Sequence, residues 1–267
     1  MYKRLASDTI PVGELHPPIH SEDLIIFFDP NRSSFTVRGL VTGTYERGTV
    51  ALIRRIMGQD MTLVDLGANI GYFSLVAAQT MGGAGRVYSF EPDPDTYNIL
   101  ERNVTANGFD NVIEAISAAI ADHEGTATFH QYVNDAGSSS LTLRELPIRD
   151  SIMVEVTTLD LWAEARGWPD IDIVKMDIEG AEVAALNGMR EVSSKNEGLR
   201  LIIEFNAEAL GSASSGHEEL FASLRELGFK KLFVINDRSL KMFSLERGTK
   251  RLLRRARWEP VNLYCEK

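Results

Sequence analysis

Three short strings hold the residue types best able to do chemistry. In the first, Val64-Asp65-Leu66-Gly67-Ala68-Asn69-Ile70-Gly71-Tyr72, an apolar run ends in two spaced glycines. Glycine there lets the backbone turn tightly and approach a ligand with no Cβ in the way. A helix starting at Tyr72 would offer its unpaired N–H groups to the same ligand. In the second string, Phe90-Glu91-Pro92, an acidic residue follows the glycines by about 20 positions, the spacing at which a carboxylate takes both hydroxyls of a ribose. The third, Ile173-Val174-Lys175-Met176-Asp177-Ile178-Glu179-Gly180-Ala181-Glu182, sets a lysine and two carboxylates at the end of another apolar run, and Glu204 ends the run after it.

The spacing of the first string separates cofactor classes. A dinucleotide's pyrophosphate calls for G-x-G-x-x-G, but Asn69 stands between the glycines and the pattern is D-x-G-x-x-x-G. The wider loop suits a ribose-linked sulfonium, with Asp65 and backbone groups near its amino-acid end. Asp177 and Glu179 are candidates to orient or deprotonate an acceptor hydroxyl, and the ammonium of Lys175 would help keep them ionised. Glu204 converges on the same edge as a fourth catalytic candidate. The bland alternative is capping of the next helix by Asp177 and Glu179, and Glu182, one turn further, reads as supporting. Asp177, Glu204 and Asn206 are oxygen donors of the kind Mg²⁺ takes. No spacing fixes their geometry, so Mg²⁺ is not favoured and no metal ligand is assigned. The five histidines, His16, His20, His123, His130 and His217, show no ligand spacing. His130 is the one to test as a base.

These strings need strand ends to position them. Apolar runs over 61–66, 86–90, 112–117, 171–176 and 199–205 read as strands, and 72–81, 94–107, 181–186 and 217–227 as helices. Strands over 229–235 and 261–265 close the pattern, with a possible hairpin strand over 240–243. Strand–helix alternation of this kind makes an α/β, Rossmann-like, doubly wound and mostly parallel sheet with an antiparallel last strand. The stretch 122–160 breaks the rhythm. Its strand-like parts, 126–133 and 152–157, read as a β insertion. Before the first string, 1–20 reads as an extended arm, 21–41 as a hairpin turning at Asp29-Pro30-Asn31-Arg32, and 44–57 as a helix capped by Thr44. The arm and hairpin, 1–41, would then cover the acceptor side of a main domain over 42–267.

Bulk properties narrow the partners. The 267 residues are 44% hydrophobic and 25% charged, as in ordinary globular proteins. A net charge of −10 disfavours a nucleic-acid partner. No stretch reads as a secretory signal or a membrane span, so the expected location is cytoplasmic. Cys265 is the one cysteine, which fits a reducing compartment. The basic run Lys250, Arg251, Arg254, Arg255 and Arg257 reads as a solvated helix face. Oligomeric state is not legible.

Taken together, the strings resemble the FkbM-type S-adenosylmethionine-dependent methyltransferases. The resemblance runs from about Thr42 to about Asn206. It is carried by Gly43-Thr44-Tyr45-Glu46, the glycine string, Phe90-Glu91-Pro92, Ala119-Ile120-Ala121-Asp122, Thr158-Leu159-Asp160 and, most narrowly, Lys175-Met176-Asp177-Ile178-Glu179-Gly180-Ala181-Glu182. It implies a class I methyltransferase fold and methyl transfer, usually to a hydroxyl, with S-adenosylhomocysteine released. Asp65, Gly67, Ala68, Asn69 and Gly71 would then line the methionine and ribose side, with Glu91 and Pro92 at the ribose and Ala119 and Ile120 by the adenine. Tyr45 and Glu46 would enter the site from the N-terminal helix, and Asp177 would lie by the cofactor as well as the acceptor. Where many relatives carry a histidine after the fifth strand, this chain has Glu204-Phe205-Asn206, so the resemblance supplies no histidine base there. The expected acceptor is a small molecule, sugar or secondary metabolite. Rival readings are N-methylation, a nucleotide-cofactor oxidoreductase, or a partner subunit that binds the cofactor without catalysis.

Overall fold

The computed structural model describes residues 19–21, 23–29, 34–133, 135–212, 216–236, 241–244 and 260–267. The chain enters through a small antiparallel hairpin of β1 (Ile19–Ser21) and β2 (Leu24–Ile26), with Asp23 in the turn at φ 67°. Helix α1 (Ser34–Thr42) follows, and α2 spans Arg47–Ile56. This corrects the expected hairpin over 21–41, whose second half is helical; residues 30–32 of the expected turn lie outside the described residues. Two physical reasons stand out. Gly43 is left-handed at φ 61°, and Thr44 N–H donates to Gly39 O at 2.8 Å, the closing pattern of a helix rather than a strand. The outer edge of β2 and the residue after it also find side-chain partners in place of a further strand. Asn107 brackets Ile25, accepting from its N–H and donating to its C=O, and Asn103 does the same for Phe27. Thr44 does not cap α2 either: Glu46 is the residue before it, and Thr44 Oγ1 pairs with Thr42 Oγ1.

From there the α/β rhythm holds. β3 (Thr62–Leu66), α3 (Tyr72–Thr80), β4 (Arg86–Phe90), α4 (Pro94–Ala106) and β5 (Ile113–Ile116) form the first half. The β insertion comes next, as β6 (Ala119–Ile120), β7 (Gly125–Tyr132), β8 (Asp135–Ser140) and β9 (Ile148–Thr157), before α5 (Leu159–Ala165). The second half runs β10 (Ile173–Met176), α6 (Glu182–Asn187), α7 (Arg190–Lys195), β11 (Arg200–Phe205), α8 (Ala207–Ser212), α9 (Gly216–Glu226), β12 (Lys231–Asn236), β13 (Lys241–Ser244) and β14 (Val261–Glu266).

Among the described residues the main sheet has the order β13-β12-β14-β11-β10-β3-β4-β5. β3, β4, β5, β10 and β11 are parallel, and β14 is antiparallel between β11 and β12. The chain leaves β3 toward β5, then returns to the other side of β3 at β10. Loops therefore diverge between β3 and β10, opening a crevice at the carboxyl edge. Alternation along the strands feeds two cores. Val64, Leu66, Val174, Met176 and Phe205 pack with α5, α6 and α9 on one face, and Leu63, Ile173, Ile202 and Tyr264 pack with α2, α3 and α4 on the other. Leu24, Ile26 and Phe28 belong to this second core, so the hairpin is bolted to α4. The inserted strands form their own sheet, β6-β9-β7-β8. No helix of the described residues is long and apolar enough to cross a membrane.

Candidate functional site

The first string becomes a loop held from both sides. Gly67 and Ala68 donate to Phe90 O, and Asn69 N–H donates to Glu91 Oε2 at 2.9 Å while Asp93 N–H donates to Glu91 Oε1 at 2.9 Å. This buried carboxylate is thus oriented by the glycine loop at one oxygen and by the start of α4 at the other. The glycines serve close approach within the protein. A Cβ on Gly67, at φ 76°, would lie 1.9 Å from Asp177 O, and one on Gly71, at φ 87°, would lie 2.4 Å from Leu100 Cδ1. Beside the loop opens a cleft at the carboxyl edge of the sheet. It is lined by Gly67, Asn69, Glu91, Pro92, Ala119 and Ile120, by Asp177, Ile178 and Ala181 after β10, and by Phe129, Ser139 and Leu141 of the insertion.

A polar row lies beneath. Register places Lys175 beside Asp65 and Asp65 beside Ser89 on adjacent strands, all facing α3. Asp65 is 0% exposed; its Oδ2 accepts from Ser74 Oγ at 2.6 Å, and Ser89 Oγ donates to Ser74 Oγ. Lys175 Nζ sits 3.8 Å from Asp65 Oδ1 and 3.3 Å from Asp177 Oδ2, over the Phe73 ring. Burial works to lower its pKa, but Asp177, Asp65 and Glu46 outweigh that and raise it, so the ammonium stays charged. Burial raises Asp65 against the pull of Lys175.

Above this row lies an acidic cluster. Asp177, Glu179 and Glu204 bring carboxylate oxygens within 4.8 Å of one another, with the chemistry of a cation site among the described residues. Two cationic side chains already share the place: Lys175 at Asp177, and Arg144, whose Nη1 donates to Glu179 Oε2 at 2.8 Å. Asn206 Nδ2 donates to the same oxygen, and its Oδ1 accepts from Ala209 N–H at the start of α8. Burial, then Asp177, Glu179, Glu182 and Glu46, raises Glu204 well above the carboxylate range. Burial also pushes Glu182 up to about 7, against backbone N–H groups of Gly180 and Ile178 that it accepts. Glu204 and Glu182 therefore hold protons more readily than ordinary carboxylates do.

The expected site residues therefore divide. Gly67, Asn69, Glu91, Pro92, Ala119, Ile120 and Asp177 line the cleft. Asp65, Ala68 and Gly71 do not: Asp65 is sealed under the loop, and Ala68 and Gly71 pack inward because the loop curls over α3. Tyr45 leans on Tyr72 and Phe73, lining a separate hollow beside α1 and α2. Glu46, left-handed at φ 37°, accepts from Asn262 Nδ2 and joins the acidic cluster through its charge. Lys175 and Glu204 lie behind Asp177 rather than along the cleft, and Glu179 turns to Arg144 and Asn206. His130 pairs with Ser151 away from the cleft, and the basic run 250–257 lies outside the described residues. Sequence reasoning missed Arg144, Ser139 and Ser140. Ser140 Oγ bonds the Glu179 carbonyl at 2.7 Å. No local pattern marks these residues, which reach the site only through the folding back of the insertion.

A model of the methyltransferase FkbM domain matches residues 65–231. Among curated proteins the chain is similar to the methyltransferase sdnD of Sordaria araneosa, 31% identical over 157 residues, or 48% of this chain and 60% of that one. It is also similar to the hexuronic acid methyltransferase AglP of Haloferax volcanii, 24% identical over 144 residues, covering 54% and 56%. The third is the 2-O-methyltransferase NoeI of Sinorhizobium fredii, 27% identical over 150 residues, covering 51% and 60%. The chain thus spans 56–60% of the length of these relatives.

Proposed function

The chain belongs to the FkbM-domain methyltransferase family, and on that premise we propose that it transfers a methyl group from S-adenosylmethionine to a hydroxyl of a small-molecule or glycan acceptor. The observation that carries the reading is the double position of Asp177, which walls the cleft and also belongs to the acidic cluster. The cleft suits the cofactor: an oriented carboxylate at Glu91 for a ribose diol, and apolar Pro92, Ala119 and Ile120 for a flat base. When bound, S-adenosylmethionine supplies a methyl on a positively charged sulfur and leaves as S-adenosylhomocysteine.

In this reading Glu91 fixes the ribose, and Asp177 aligns an acceptor hydroxyl and takes its proton as the new bond forms. Lys175 holds Asp177 from behind, and Arg144 and Asn206 hold Glu179, so the turn 177–180 cannot drift. Displacement at a methyl depends chiefly on alignment, with proton removal adding about 10²–10⁴-fold. The names of two relatives support the reading, a hexuronic acid methyltransferase for a sugar acceptor and a 2-O-methyltransferase for transfer to oxygen. The negative cluster argues against a phosphate-bearing nucleic acid. The test is label transfer from methyl-labelled S-adenosylmethionine to candidate sugars by the parent and by Asp177→Asn. We expect turnover to fall about 10²–10⁴-fold with cofactor affinity kept; near-parental turnover on a true acceptor refutes the role of Asp177.

A further inference from the structure

Among the described residues, five buried polar side-chain atoms lack a hydrogen-bond partner: Asp65 Oδ1, Ser139 Oγ, Arg144 Nε, Trp162 Nε1 and Glu204 Oε2. Four have an evident setting. Asp65 Oδ1 faces the Lys175 ammonium at 3.8 Å, Arg144 is held through Nη1 by Glu179, and Glu204 sits in the cluster with Asp177 and Glu179. Trp162 packs edge-on against Tyr88 and Phe90 in the core. Ser139 Oγ is different, because its side chain lines the cleft itself.

Its position is set by its neighbours. Ser140 Oγ donates to Glu179 O, and Thr142 N–H donates to Ser140 Oγ at 3.0 Å. Tyr132 OH donates to Thr142 O, and Arg144 N–H donates to that same Tyr132 oxygen. With residue 140 tied to the turn, strand alternation sends Ser139 and Leu141 into the cleft that Glu91, Pro92 and Ile120 also line. A hydroxyl is both donor and acceptor and rotates freely to suit a partner. Leaving it buried and unpaired is unfavourable in the empty protein, and that cost is recovered when a polar ligand atom arrives.

Resting on the reading that this cleft takes S-adenosylmethionine, we propose that Ser139 of the inserted sheet hydrogen-bonds the adenosyl portion of the bound cofactor. The insertion is then part of the cofactor site, contributing one polar contact to the cleft that Glu91 also lines. The idea differs in sign from a structural role. A structural serine loses stability on replacement by alanine, whereas an orphaned hydroxyl that waits for a ligand does not.

The test uses the full chain and its Ser139→Ala variant. Melting without ligand should show the variant at or above the parental Tm. Calorimetry with S-adenosylhomocysteine, and with 5′-methylthioadenosine, which has no amino-acid end, should show both affinities weakened about two- to ten-fold. A lower Tm with unchanged affinities overturns the proposal in favour of a structural serine. Weakening for S-adenosylhomocysteine alone overturns the adenosyl assignment. Glu91→Ala, measured alongside, separates the two levels. Loss of binding there with full binding by Ser139→Ala removes the serine and leaves the cofactor reading standing, whereas a parent that binds neither ligand removes both.

Discussion

Replacing Lys175 separates support from chemistry most cleanly. Its Nζ lies between Asp65 and Asp177, at 3.8 and 3.3 Å, with 2% of the side chain exposed. Asp65 is 0% exposed and, besides the ammonium, is met by the hydroxyl and the backbone of Ser74. Lys175→Met keeps most of the stem's volume and removes the charge, so Asp65 must stay ionised without a counter-charge or take up a proton. Breaking one side of a buried pair typically costs about 3–5 kcal/mol. At roughly 2–4 °C per kcal/mol for a chain of this size, Tm should fall by about 6–20 °C. The double variant Asp65→Asn/Lys175→Met should regain most of this, because a neutral amide needs no counter-charge and still meets Ser74. Turnover should stay low in the double variant, since Asp177 has lost the group behind it. Urea unfolding followed by tryptophan fluorescence reads the stability, with unchanged m-values expected. A loss under about 1 kcal/mol in the single variant, or no recovery in the double, refutes the view that the pair supports the loop.

Two further outcomes follow from the same geometry. Glu91→Ala should weaken S-adenosylmethionine binding by about 1.5–3 kcal/mol, roughly 10- to 150-fold in calorimetry, since charge-assisted bonds to a ribose diol are lost; unchanged affinity in a folded variant removes the ribose role. Glu182, pushed by burial from 4.5 to about 7, holds a proton in the folded chain over a pH range where the unfolded chain has lost it. Its contribution is therefore full below about 4.5 and lost as pH rises to about 7, about 3 kcal/mol for this group alone. Glu182→Gln should flatten that part of the stability–pH curve measured by denaturation at a series of pH values; identical slopes for parent and variant would place the titration elsewhere.

How much of this was legible beforehand depended on whether the signal was local. β3, β4, β5, β10 and β11 were legible because a strand buried on both faces reads as a continuous apolar run, and each ends in turn residues that cannot extend it. α4 was bounded by Pro94 at its first turn and Asn107-Gly108 at its end, both local devices. The hairpin misread over 21–41 came from the same logic: an alternating run asks for a partner strand, and nothing in 24–28 announces that two asparagines far along the chain will supply its hydrogen bonds. The Gly43 stop was the available hint for α1. Asp65 read as a ligand because it precedes a glycine loop, yet cross-strand register makes it a neighbour of Lys175. Register between strands more than a hundred residues apart is invisible in a linear pattern.

The same distinction explains where the backbone is bent out of its ordinary range. Of the non-glycine residues with positive φ, three stand at the carboxyl edge: Glu46 at 37°, Asn69 at 52° and Glu179 at 53°. Side chains dislike this region, so each must be held by its surroundings. Asn69 is held by its N–H on Glu91, and Glu46 by Asn262 on the last strand. Glu179 is held through its carbonyl by Ser140 and through its carboxylate by Arg144 and Asn206. The restraints come from four distant stretches of chain, at Glu91, Asn262, Asn206 and the insertion, and of these only Glu91 lies within the strings that carry the family resemblance. A turn held from Asn206 and from the insertion can keep Asp177 against the cleft while the acidic cluster repels itself. That is why the insertion belongs to the argument about chemistry: without Ser140 and Arg144, the turn that carries Asp177 loses the contacts that hold Glu179 left-handed.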